Sequence, residues 1–170
     1  FNVKYVVDLD DYRRKVSLKR YPGCEVFKDY RELFKKKDID VVINASYSDL
    51  HYAISKELIM HGLNVVVEKP LAKSTKECQE LIDLAKKKKV FINAFQQTFY
   101  APYYDDVIRI MKHDKIGKIL EVSIRYNSLS RRWDWQTLQK RVGGNAYNTG
   151  PHPIGIALGV LDFDPKLKLV

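Results

Sequence analysis

Two side chains able to carry charge and protons stand at positions where chain geometry would put them to use. Lys69 follows the β-rich run Asn64-Val65-Val66-Val67 inside the triplet Glu68-Lys69-Pro70, and His152 is flanked by Pro151 and Pro153. An ammonium supports negative charge developing on an oxygen. An imidazole titrates near neutrality and can take up and return a proton. Prolines are tolerated in the first turn of a helix, where backbone N–H groups have no intrahelical partner, so the pair around His152 predicts a helix N-terminus there. The field at such a terminus favours the neutral, proton-accepting ring. The plainer alternatives are a surface lysine and a structural histidine.

The elements that must position these groups come from the periodicity. Short β-rich runs alternate with amphipathic stretches through the first half, the pattern of a parallel sheet flanked by helices. Strands are expected over residues 3–8, 40–45, 64–67 and 90–94, with helices over 10–20, 30–37, 50 to Gly62, and 75–89. Asp49 is a candidate cap for the third helix. Ser74-Thr75-Lys76-Glu77 reads as a capping box, in which the serine oxygen and the glutamate carboxylate satisfy opposing backbone donors. A helix follows Pro102, an alternating segment over 119–126 predicts a half-buried strand, a helix covers 154–161, and a strand begins at Lys166. The chain opens on a strand without an initiator Met, which suggests missing flanks.

In an open parallel sheet, ligands bind outside the carboxyl ends of the strands. Those positions are polar here: Asp8, Ser46-Tyr47-Ser48, Glu68-Lys69-Pro70 and Gln96-Gln97. An acidic residue at the end of the second strand of a dinucleotide fold bonds the adenosine ribose hydroxyls, and Asp8 fits that role if one βα unit lies upstream. Capping of the following helix is an equal reading of Asp8. No Gly-x-Gly-x-x-Gly turn occurs in the sequence, so backbone donors for a pyrophosphate are not supplied by this segment.

The 170 residues are 45% apolar, enough for a real core in one domain or parts of two. A formal charge of +9 asks for acidic partners, but much of it sits in Lys35-Lys36-Lys37 and Lys86-Lys87-Lys88-Lys89, each closing an expected helix where cations complement the dipole. Nucleic-acid binding is therefore not expected. No apolar run approaches the roughly 20 residues of a membrane span. Cys24 and Cys78 lack metal-ligand spacing; they fit a reducing compartment, with cytoplasm as the default, and would also permit one disulfide. His51, His61 and His113 form no metal pattern, and no metal site is expected.

The segments Asp40-Val41-Val42-Ile43-Asn44-Ala45-Ser46-Tyr47-Ser48-Asp49-Leu50-His51 and Gly62-Leu63-Asn64-Val65-Val66-Val67-Glu68-Lys69-Pro70-Leu71-Ala72 resemble the glucose–fructose oxidoreductase, inositol dehydrogenase and rhizopine-catabolism (Gfo/Idh/MocA) family. The Glu-Lys-Pro signature, set on a strand and before a capped helix, is the specific part. The resemblance continues through residues 95–102, Gly117-Lys118-Ile119, Trp133-Asp134-Trp135 and 143–152. It implies an α/β chain: a partial Rossmann-like parallel sheet over residues 1–98, then over 99–170 a linking helix and the start of a substrate and oligomerisation domain with a mainly antiparallel sheet. It also implies hydride transfer between NAD, or NADP, and a secondary alcohol of a sugar, cyclitol or sugar acid.

By this resemblance Lys69 holds the substrate hydroxyl beside the nicotinamide, and His152 is the acid/base. Asp8, Ala45, Ser46, Ser48, His51, Glu68, Lys69 and Gln97 fall on the cofactor side, and Asn148, Trp133 and Trp135 on the substrate side. Either tryptophan could equally pack the core. Pro70 fixes the backbone around Lys69 and is a candidate for a cis bond. Three departures stand out: Asn148 where many relatives carry Asp, Ser46-Tyr47-Ser48 where Thr-Pro-Asn is common, and Thr98-Phe99 where one or two arginines are common. An amide orients a hydroxyl but exchanges no proton. The alternative is therefore a non-catalytic sugar-binding or assembly protein on the same fold. A homo-oligomer is expected of the full-length protein.

Overall fold

In the computed structural model, residues 1–113, 116–127, 129, 131–164 and 166 are described. The first half is built from β1 (Tyr5–Val7), α1 (Asp11–Arg20), β2 (Glu25–Phe27), a 3-10 helix (Tyr30–Lys35), β3 (Val42–Asn44), α2 (His51–Met60), β4 (Val65–Glu68), α3 (Thr75–Lys88) and β5 (Ile92–Phe95). All the pairings are parallel: β1 with β2, and β3 with β4 with β5. β4 is the middle strand of its sheet, aligning Val67 between Asn44 and Ala94, so the three strands end level with one another. The parallel α/β expectation is met.

Local chemistry accounts for the boundaries. Asp10 caps α1, its carboxylate accepting from the N–H groups of Tyr12 and Arg13. The capping box forms at α3: Ser74 Oγ accepts the Glu77 N–H at 3.2 Å, while the Glu77 carboxylate accepts the Lys73 N–H at 3.1 Å. α2 stops where Gly62 adopts φ +79, a left-handed conformation open to glycine without steric cost. Lys86, Lys87 and Lys88 do occupy the last turn of α3, as the charge pattern implied.

Leu58 and Ile59 of α2, Val65 and Val67 of β4, and Leu81 of α3 are fully buried, and they form the centre of the core. Burial of each such side chain is worth about 1.5–3 kcal/mol. The opposite face of the sheet is less covered: Ile43, in register with Val66 and Asn93, is 67% exposed.

Several expectations need correction. Asp49 does not cap α2; a 3-10 turn (Ser48–Leu50) runs straight into the helix, and the Asp49 carboxylate pairs with Arg141 at 3.0 Å instead. β2 was not foreseen, because three residues are too few to display a period. Residues 119–126 form no strand: alternation supplies a buried and an exposed face but not a neighbouring ladder, and no strand follows β5 among the described residues. The strand expected from Lys166 falls largely on residues outside those described. Both cysteines are free. The second half holds a 3-10 helix (Gln97–Tyr100), α4 (Pro102–Lys112), two 3-10 turns (Trp135–Thr137, Gln139–Arg141), α5 (Asn145–Asn148) and α6 (Pro151–Val160).

Candidate functional site

The chain leaving β4 and β5 meets α5 and the N-terminal end of α6, and the loop after β3 reaches Arg141 through Asp49. Asn44, the last residue of β3, is almost fully buried and uses all of its amide. Its Nδ2 donates to Ser55 Oγ at 2.9 Å and to the His51 carbonyl at 3.2 Å. Its Oδ1 accepts from Ser46 Oγ at 2.7 Å and from the Ser46 N–H at 3.3 Å. This one side chain folds the loop after β3 back onto the start of α2.

His51 continues the bracing. Its ring is buried, with Nδ1 2.7 Å from the Pro70 carbonyl and Nε2 3.1 Å from the Ser46 carbonyl. It therefore joins the loop after β3 to the turn after β4, where the Lys69–Pro70 bond is cis.

Lys69 leaves the end of β4 and reaches the second half of the chain. Its Nζ donates to the Asn148 carbonyl at 2.7 Å and to Asn148 Oδ1 at 2.8 Å. Burial pushes its ammonium below the ordinary lysine range; the Glu68 carboxylate opposes this and the Arg132 charge adds to it.

His152 stands in the first turn of α6, as the flanking prolines implied. Its Nδ1 lies 2.7 Å from the hydroxyl of Thr98, and Gln96 Nε2 donates to the Pro151 carbonyl one residue earlier. The ring of Tyr126 lies parallel to the imidazole, with centroids 6.3 Å apart. Burial pushes the His152 pKa below its usual value, the Lys69 charge pushes the same way, and the Glu68 carboxylate opposes both. A cleft of about 290 Å³ opens beside it, lined by Gln97, Thr98, Ala101, Tyr103, Tyr126 and His152. Tyr126 is pushed up to about 12, chiefly by its hydrogen bond with Tyr103.

The remaining sequence candidates are distributed unevenly. Glu68 ends β4 beside Lys69, and Ala45 and Ser46 follow β3, with the Ser46 hydroxyl spent on Asn44. Ser48 is buried. Asp8 follows β1 and accepts the N–H of Asp10 at 2.8 Å, so the cap of α1 belongs to Asp10 and not to Asp8. Trp133 is 94% exposed, and Trp135 packs edge-on against Tyr47 at 5.1 Å; neither lines the cleft. Reading by sequence missed Asn44, Gln96 and Thr98. Their polar types on or just after β3 and β5 were visible, but apart from Ser46 their partners lie 7–55 residues away.

Residues 3–96 match the family model described as an oxidoreductase family with an NAD-binding Rossmann fold, Gfo/Idh/MocA. The chain belongs to this family. NAD is the cofactor of the family's Rossmann domain, the part matched here. Among relatives of the Gfo/Idh/MocA chain, a scyllo-inositol 2-dehydrogenase (NADP(+)) of Bacillus subtilis is 30% identical over 116 residues, 68% of this chain and 34% of that protein. A trans-1,2-dihydrobenzene-1,2-diol dehydrogenase of Xenopus tropicalis is 29% identical over 127 residues, 72% of this chain and 37% of its own length. An NAD-binding protein of Listeria innocua shares the fold with TM-score 0.87 at 20% identity, covering 94% of this chain and 47% of that one. The chain thus spans less than half of each relative. Among the described residues, no helix is long and apolar enough to cross a membrane.

Proposed function

We propose that this chain is part of a cytoplasmic NAD- or NADP-dependent dehydrogenase acting on a secondary alcohol of a sugar, cyclitol or sugar acid. Residues 1–98 form its partial dinucleotide-binding domain, and 99–170 the linking helix and the start of its substrate domain; the family match over 3–96 supports that division. The observation that carries the reading is the bond from Lys69 Nζ to Asn148, across 79 residues of sequence. It ties the end of β4 to the corner between α5 and α6, where His152 lines a cleft.

The donor set at the sheet's carboxyl ends suits part of a dinucleotide. Asp8 keeps a carboxylate partly exposed for ribose hydroxyls, and Ala45, Ser46, Ser48, His51, Glu68 and Gln97 build or brace the strand ends on that side. A bound nicotinamide supplies the hydride acceptor or donor. Lys69 orients the substrate oxygen and favours charge growing on it. His152 takes the hydroxyl proton, and its depressed pKa keeps the ring in the accepting form at neutral pH. Asn148 positions Lys69 and offers a hydroxyl-binding amide but no exchangeable proton. The relatives named as acting on an inositol and on a cyclic diol support a ring-borne secondary alcohol.

Fluorescence titration of the full-length protein with NADH and NADPH tests cofactor binding, and a polyol and sugar-acid panel tests turnover. Lys69→Ala and His152→Ala are expected to abolish turnover while leaving the fold intact. Full activity in both would refute the assigned roles. The second reading is a non-catalytic sugar-binding protein, favoured by the neutral amide at Asn148. It predicts sugar binding that is indifferent to cofactor. Association into a homo-oligomer is proposed for the full-length protein and is measured by light scattering.

A further inference from the structure

Thr98 is 5% exposed, yet its side chain is a hydroxyl, and burying one without a partner is costly. Its partner is His152 Nδ1 at 2.7 Å, reached across 54 residues. No other hydrogen bond of either side chain occurs among the described residues. The imidazole is thus held by one ring nitrogen, and Nε2 is the nitrogen left without a protein partner, on a residue that lines the cleft. The same segment grips α6 at further points. Gln96 donates to the Pro151 carbonyl, and Gly155 of α6 approaches so closely that a Cβ there would meet Gln96 Nε2 at 3.0 Å and Phe99 at 3.2 Å.

We propose that Thr98 is a positioning residue: its hydroxyl holds His152 by Nδ1 and makes Nε2 the atom that exchanges the proton with the substrate hydroxyl. The inference rests on the dehydrogenase reading above and adds which nitrogen works and what aims it. In the accepting state Nδ1–H donates to Thr98 Oγ1, and the Nε2 lone pair is free. As the substrate O–H bond breaks, its proton forms the Nε2–H bond, and the hydrogen bond from Nδ1 to Thr98 persists with a charged donor. Charge-assisted hydrogen bonds are roughly twice as strong as neutral ones, so the contact tightens as the proton arrives. A hydroxyl accepts without a formal charge of its own. It therefore raises the imidazole's basicity less than a carboxylate would, and burial with the Lys69 charge still holds His152 below its usual value.

The other groups acting on His152 are known. Lys69 lowers its pKa, Glu68 raises it, and the Tyr126 ring, itself bonded to Tyr103, stacks on it. None of them touches Nδ1.

The test is a pH titration of the ring nitrogens of His152 in 15N-histidine-labelled full-length protein, with the signal assigned by its loss in His152→Gln. Thr98→Val keeps the shape and removes the acceptor, while Thr98→Ser keeps the hydroxyl. Losing a hydrogen bond to a charged donor is expected to lower the His152 pKa by about one unit in Thr98→Val. Thr98→Ser should titrate as the wild type. In steady-state kinetics the acid limb should move with the titration, with kcat falling and KM for the alcohol retained. If Thr98→Val fails to fold, Thr98→Ala provides the same comparison. A wild-type titration in the hydroxyl-free variant would overturn the proposal, as would equal shifts in the valine and serine variants. The nitrogen shifts need no turnover, so a protein that shows them and oxidises no alcohol would sink the dehydrogenase reading alone.

Discussion

Gly150 lies at the corner where α5 passes into α6, between Asn148 and His152, and a methyl group there would collide with backbone. A Cβ at Gly150 would fall well inside the 3.0 Å that real Cβ atoms keep, against the Ala146 carbonyl oxygen, and would sit 3.2 Å from that carbonyl carbon. The backbone at Gly150 is right-handed, so the obstacle is space and not conformation. Because the obstructing atoms are main chain, α5 must withdraw from α6 by roughly half an ångström or more, and an error near 1 Å at a reacting group costs about 100-fold in rate. The displacement acts on both sides of the corner, stretching the bonds of Lys69 to Asn148 and turning His152 away from Thr98. For Gly150→Ala in the full-length protein the proposed function predicts a kcat/KM about 10- to 100-fold lower with cofactor affinity unchanged. Overpacking of about 1–3 kcal/mol, offset by about 0.4–1 kcal/mol from a less flexible unfolded chain, leaves a net destabilisation of about 1–2 kcal/mol. Calorimetry should register a lower Tm, and steady-state kinetics with a cofactor titration should register the rest. Wild-type turnover in Gly150→Ala would show that the corner tolerates displacement and that its geometry is not what the chemistry needs.

Other outcomes are expected from the same structure. The His152 pKa is depressed, so its accepting form persists as pH falls through the ordinary histidine value of 6.5, and the acid limb of the proposed alcohol oxidation should lie below that pH in a kcat/KM profile. Lys69→Met removes a neighbouring cation and should raise the His152 titration midpoint, read by nuclear magnetic resonance; no change would mean the two groups do not sense each other. Ser74→Ala removes the cap of α3 and should cost about 1 kcal/mol in urea denaturation. Leu81→Ala, at a fully buried position of the core, should cost about 2–5 kcal/mol by the same assay.

What could be read from the sequence divides along physical lines. Local signals were reliable: Ser74 and Glu77 announced the start of α3, Gly62 the end of α2, and Pro151 the helix that carries His152. Lys69 was visible because its triplet is bound to a strand end, a short-range context. Contacts made over long separations were not legible. Nothing local distinguishes Thr98 from any other threonine after a strand, since its meaning comes from a ring 54 residues on. Asp49 shows the converse: its type and place suggested a cap, but its carboxylate pairs with Arg141, 92 residues away. The alternation over 119–126 failed for a related reason, since a strand exists only with a neighbour to pair with.

The two tryptophans, which lie two residues apart, are placed in opposite surroundings: Trp133 stands in solvent and Trp135 leans on Tyr47 in the loop after β3. That contrast gives the molecule a built-in optical gauge. Iodide should quench the red-shifted emission of the former, while the blue-shifted emission of the latter should follow any parting of the two halves of the chain, without a dye attached.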